Sequence, residues 1–155
     1  MRRYRRHVAT AVVTAALVVT GFAVGRSTAV QSKAARPSNG STIEHDSLVA
    51  KNEAGPHNGG GQTTGYSFFT KSKDLPMVFR KRALHPGSSI GHHTQQEDEI
   101  YYVLSGRGTM TIDGKEFEVG PGDAVLTRPG SSHGLKQIGK EDLVILINYE
   151  QAPKP

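Results

Sequence analysis

His93, Gln95, Glu99 and His133 are the residues of this sequence whose types and spacing best suit chemistry. His93 and Gln95 are two apart, so an extended segment projects both side chains from one face. Glu99 opens a run in which Glu99, Tyr101 and Val103 share one face, while Ile100, Tyr102 and Leu104 share the other. A carboxylate at the head of an apolar face is costly to bury unless a cation or strong donor meets it. His133 follows Pro129-Gly130 and opens a short strand over 133–137. Two imidazoles and a carboxylate converging from separate strands suit a borderline divalent metal such as Mn, Fe, Co, Ni or Zn. A hydrogen-bonded polar network in a metal-free core would use the same residues, so spacing leaves both readings open. Tyr101, facing inward, is a candidate proton donor or substrate contact, its alternative being core packing with a satisfied hydroxyl. Arg128, just before Pro129, is a candidate partner for a carboxylate substrate if it reaches a pocket mouth, and otherwise a surface arginine.

Strands must position these side chains. Beyond residue 66, apolar or alternating runs at 66–70, 77–84, 100–104, 109–112, 116–119, 124–127 and 143–149 are separated by turn residues. Spacing of about ten residues with Gly and Pro punctuation predicts an all-β sandwich or barrel. Asp113-Gly114 predicts a two-residue type I′ hairpin, whose turn positions both need positive φ. A second tight turn is expected at Gly120-Pro121-Gly122-Asp123. Arg80, Lys81 and Arg82 read as a solvated strand face with at most one side chain inward. About 85 residues of β structure lie near the small end for a self-supporting core. Closing the barrel, or pairing it in a homodimer, would remove exposed sheet edges.

The remainder of the chain sets the context. Lys plus Arg number 19 against 14 Asp plus Glu, a net charge of +5. Arg2, Arg3, Arg5, Arg6 and Arg26 lie before residue 30, where no acid occurs, and without them the count is 14 basic against 14 acidic. The excess belongs to the N-terminus, which argues against nucleic acid as a partner. Residues 1–7 form a basic head and 8–25 an uncharged apolar run, the layout of a secretory signal. Cleavage is expected after Ala29, with Ser32 and Ala34 offering a second site; the alternative is a retained membrane anchor. Either way the domain would be exported, periplasmic or secreted, and membrane contact would be confined to this segment. Residues 30–65 read as a flexible tether ending in Gly59-Gly60-Gly61, within which 42–51 could form a short strand or helix. Packing of this segment on the barrel as an added strand stays open. His45 and His57 read as solvated loop histidines. The expected barrel domain covers 66–150 and a short tail 151–155. The absence of Cys excludes disulfides and thiolate ligands, so any metal must be held by His, Glu or amide oxygen.

At the candidate ligands the sequence resembles the cupin superfamily. PGSSIGHHTQQEDEIYYVLSGRGTMTIDG, with Gly87, His93, Glu99 and Gly106, is similar to the first cupin motif, and VGPGDAVLTRPGSSHGLKQ, with Gly122, Gly130 and His133, to the second. The resemblance covers roughly 79–149. It implies a double-stranded β-helix, or jelly-roll barrel, with a metal pocket inside one mouth. Three positions depart from the pattern: Gln95 stands where the second histidine of the first motif belongs, Arg128 replaces a proline, and Gln137 replaces an asparagine. Gln95 could coordinate through its amide oxygen or leave that position to water. An alternative register would use His92 in place of His93. Without Gln95 the set is the two histidines and one carboxylate of non-heme iron oxygenases. The resemblance implies either a metal-dependent enzyme on a small oxygenated substrate, of dioxygenase, isomerase or lyase type, or a non-catalytic module for a sugar or small acid. Fold does not choose between them.

Overall fold

The computed structural model describes residues 40–72 and 74–151. The expected signal or anchor at 1–29, the start of the expected tether at 30–39 and the tail from 152 onward lie outside the described residues. Among the described residues no helix is long and apolar enough to cross a membrane.

Among the described residues, ten strands form two antiparallel sheets. They are β1 (Ala50–Ala54), β2 (Gln62–Phe68), β3 (Met77–Leu84), β4 (Ser89–Thr94), β5 (Glu99–Ser105), β6 (Arg107–Ile112), β7 (Lys115–Val119), β8 (Ala124–Thr127), β9 (Ser132–Ile138) and β10 (Leu143–Glu150). One sheet runs β1-β2-β3-β10-β5-β8 and the other β4-β9-β6-β7, a jelly-roll barrel. Period-2 alternation is plainest in β5: Glu99, Tyr101 and Val103 are buried, and Ile100, Tyr102 and Leu104 face out. The core lies between the sheets, with Leu84, Val103, Leu143 and Ile145 from the larger and Ile90, Met110, Val119 and Leu135 from the smaller. Asp113 (φ 48) and Gly114 (φ 77) both adopt the left-handed region, as the hairpin between β6 and β7 requires. At the other expected turn, Asp123 N–H donates to the Gly120 carbonyl at 3.0 Å.

The tether reading of residues 30–65 is corrected over its second half. One helical turn, α1 (Asp46–Val49), leads into β1, which pairs with β2, and β2 pairs along β3. This hairpin extends the larger sheet by two strands and covers the edge that β3 would otherwise expose. His45 caps α1, accepting the Ser47 N–H on Nδ1 at 3.2 Å, and remains exposed as expected.

One irregularity matters for the site. In the β4–β9 pairing Ile90 opposes Leu135 and His93 opposes His133, so three steps on β4 match two on β9. This bulge at Gly91-His92 turns both Ile90 and His93 toward the interior, which unbroken alternation forbids for residues three apart.

Candidate metal centre

Three strands converge on one point inside the barrel. β4 supplies His93, β5 supplies Glu99 at its first position, and β9 supplies His133, directly opposite His93. Each offers one ligand atom, and these atoms all lie within 4.8 Å of one another. His133 Nε2 is 2.9 Å, and His93 Nε2 4.0 Å, from Glu99 Oε2. Ligand atoms about 2.1 Å from one ion would lie roughly 3–4 Å apart, the range of both separations to Glu99 Oε2, so His93, Glu99 and His133 are the residues that would hold an ion here. Glu99 is 4% and His133 0% exposed, which leaves the carboxylate without bulk water to stabilise its charge.

Hydrogen bonds orient the donors unequally. His93 Nδ1 lies 2.9 Å from the Gly91 carbonyl oxygen. A carbonyl only accepts, so Nδ1 carries the proton and the Nε2 lone pair is left for an ion. His133 Nδ1 is buried with no partner among the described residues, so nothing on that side fixes its tautomer. The Tyr101 hydroxyl donates to Glu99 Oε2 at 2.8 Å and lies 3.2 Å from His133 Nε2. Burial, and then the neighbouring Glu99 charge, push the Tyr101 hydroxyl well above its ordinary pKa, so it remains a proton-bearing donor. Partial burial and the nearby His93 lower that of His57.

The group opens into a cavity of about 260 Å³ lined by His93, Gln95, Glu99, Tyr101, Arg80 and Arg82, together with Pro56, His57, Ile147 and Tyr149. The structure thus brings together His93, Gln95, Glu99, His133 and Tyr101. His92 instead points outward, exposed and facing a separate hollow with Thr111, Glu116 and Lys136, which removes the alternative register. Arg128 does not reach the cavity. It is exposed and pairs with Asp98 at 3.1 Å across the surface, so its candidate role toward substrate is withdrawn. Gln137 is buried, accepting the Gly87 N–H at 2.9 Å and donating to the Glu141 carbonyl at 2.7 Å, and so pins two loops together.

One expectation about the surroundings is overturned, and another holds only in part. Arg80 and Arg82 both turn inward, two apart on β3, while Lys81 points away to pair with Asp46. Arg82 is held by Glu53 Oε1 at 2.6 Å and donates to Thr63 Oγ1 at 2.7 Å. His57 is exposed to solvent on one side, yet its ring lies against that of His93, so it belongs to the site.

The family model for the cupin domain matches residues 81–149. The barrel is a cupin domain. An oxalate-binding protein of Thermotoga maritima is 40% identical over 70 residues, which make up 44% of this chain and 58% of that protein. A 5-nitrosalicylic acid 1,2-dioxygenase of a Bradyrhizobium species is 22% identical over 69 residues, 44% of this chain and 33% of that enzyme. Among solved structures, a predicted oxalate decarboxylase from Thermotoga maritima superposes with a TM-score of 0.66 at 27% identity, over 72% of this chain and 100% of that one. The chain spans between 33% and 63% of the length of the curated relatives it matches. The matched cupin residues contain His93, Glu99 and His133, whereas β1, β2 and His57 lie before them.

Gln95 gives a direct test of where the ion would sit. Gln95→His is expected to tighten Zn(II) or Co(II) binding by about tenfold or more, because outer contacts alone change metal affinity by about that much. Competition against a chromophoric chelator measures it, and an unchanged affinity would mean that position 95 does not face the ion.

Proposed function

We propose that the cupin domain holds a divalent transition metal on His93, Glu99 and His133 and binds a small carboxylate, oxalate or a close analogue, in the adjoining cavity. One observation carries this reading: His93 and Glu99 of the ligand-capable group line the same cavity as the two arginines. When bound, the ion supplies Lewis acidity toward a carboxylate oxygen. Glu53 already balances the charge of Arg82, so Arg80 is the cation left to face a ligand anion. Arg80 Nε is buried with no partner among the described residues, and its guanidinium carbon lies 5.8 Å from the Tyr149 ring centroid. The ring face supports the guanidinium without consuming its donors. Tyr101 keeps Glu99 turned toward the two imidazoles. The oxalate-binding relative supports the ligand class. Residues 1–29 alone support the further part of the proposal, that the domain works outside the cytoplasm.

The test uses full-length chain purified without a histidine tag, loaded in turn with Mn(II), Fe(II), Ni(II) and Zn(II), and titrated calorimetrically with oxalate. One equivalent of metal is expected, with oxalate bound at least about tenfold tighter by the loaded protein, a difference of about 1.4 kcal/mol. Absence of stoichiometric metal, or oxalate binding indifferent to metal, overturns the proposal. A second reading, metal-dependent turnover of the same ligand class, is favoured by the donor set. Three protein donors leave positions for substrate on a six-coordinate ion, and the Tyr101 hydroxyl stands at the cavity wall with a proton to give. Product analysis of loaded protein with oxalate, with and without air, separates catalysis from binding.

A further inference from the structure

The part of the chain that precedes the cupin match also reaches the cavity. Between β1 and β2, the turn Pro56–Asn58 sets His57 against β4, its ring stacked on that of His93 with centroids 3.6 Å apart and planes 3° from parallel. The backbone around it is built for this approach. His57 (φ 53) and Asn58 (φ 57) both occupy the left-handed region, unfavourable for residues with a Cβ, and the surrounding contacts hold them there. Ser89 N–H donates to the Gly60 carbonyl at 3.2 Å, and the Ser89 hydroxyl donates to that of Gly59. A Cβ on Gly91 would stand 1.9 Å from the His57 carbonyl oxygen, so only glycine admits the loop here. The carbonyl of this same Gly91 accepts the His93 Nδ1–H. Gly91 therefore touches His57 on one side and holds His93 on the other.

We propose that His57 is a positioning residue for the metal centre: its ring, stacked on His93, fixes the plane of the ligand imidazole so that Nε2 is directed toward Glu99 and His133. The proposal rests on the metal reading given above. The hydrogen bond to Gly91 anchors one atom of the His93 ring, and the His133 ring, with centroids 4.3 Å apart and planes at 58°, meets it at an angle rather than along its face, so these two contacts limit its tilt only in part. A parallel surface against its face removes the tilt. His57 stands outside the group whose ligand atoms lie within 4.8 Å of one another, so it acts through His93 rather than on the ion.

Two variants of the full chain test this. His57→Ala is expected to weaken Mn(II) and Zn(II) binding by about 10- to 100-fold, the range for contacts that orient a ligand. His57→Phe is expected to stay within about threefold of wild type, because a phenyl ring keeps the stack and offers no donor. A readout free of metal accompanies them: in metal-free protein, the His93 ring protons should show an upfield ring-current shift in wild type and His57→Phe that His57→Ala loses. Equal affinity of His57→Ala and wild type overturns the proposal. So does a His57→Phe variant as weak as His57→Ala, which would make a ring nitrogen of His57 the active group. A wild-type chain that takes up no metal overturns the metal reading and this proposal together, a result distinguishable from failure of the proposal alone.

Discussion

Glu99→Gln is expected to lower divalent-metal affinity by about 100-fold or more, beyond the range for loss of an outer contact. Glu99 provides the only carboxylate within the His93, Glu99 and His133 group, and with it the only formal charge available to neutralise a dication. The amide keeps the shape and one acceptor oxygen but gives up that charge. The stability of the metal-free protein is expected to move the other way. The carboxylate is 4% exposed and its contacts are the Tyr101 hydroxyl and His133 Nε2, a small return for a buried charge. A neutral amide removes that desolvation cost, so metal-free Glu99→Gln should melt at or above the temperature of metal-free wild type. Added metal at about a thousand times its Kd should stabilise wild type by about 4 kcal/mol and the variant by little. Thermal melts with and without Zn(II) check both halves. A variant that melts lower without metal and is still stabilised by it would mean that Glu99 is structural.

β5 was legible in the sequence because Glu99 through Leu104 alternates without interruption, and alternation reports directly on which side is buried. The turn at Asp113-Gly114 was legible because few other residue pairs tolerate two positive φ angles. His93, Glu99 and His133 were legible through the cupin motifs, although the reason His93 faces inward is the bulge at Gly91-His92, which spacing does not reveal. His57 and the inward pair of arginines were missed through one shared cause. Residues 46–65 have the composition of a tether, yet they build α1, β1 and the turn that carries His57. Their docking relies on backbone approach at Gly59 and Gly91, where the sequence shows only small residues. Once that hairpin is misread, Arg82 has no visible partner, because Glu53 and Thr63 both lie on it. Charges on both faces of β3 then resemble a solvated strand. The signal that could have helped is the spacing of Arg80 and Arg82 with Leu84, which puts both guanidinium groups on the face that enters the core.

Arg80→Met is expected to weaken oxalate binding by about 10- to 100-fold while leaving metal affinity near that of wild type, since one hydrogen bond to a charged group contributes about 1.5–3 kcal/mol. Methionine keeps an unbranched stem against Tyr149 and removes the charge, so packing is disturbed little. Arg82 should not compensate, because turning toward a ligand would strip Glu53 of its partner and leave a half-buried carboxylate unpaired. Arg80→Lys separates charge from geometry: an ammonium restores attraction but not a forked pair of donors, so its affinity should fall between the two. Calorimetry with oxalate on metal-loaded protein gives the ligand term, and chelator competition gives the metal term. If Arg80→Met binds oxalate as wild type does, the carboxylate is held by the ion alone and the arginines serve the fold. If metal and oxalate affinity fall together, Arg80 supports the metal ligands, and the cavity loses its claim to a separate anion contact. Loss of oxalate binding with metal binding intact would place ligand recognition on β3 and metal recognition on β4, β5 and β9.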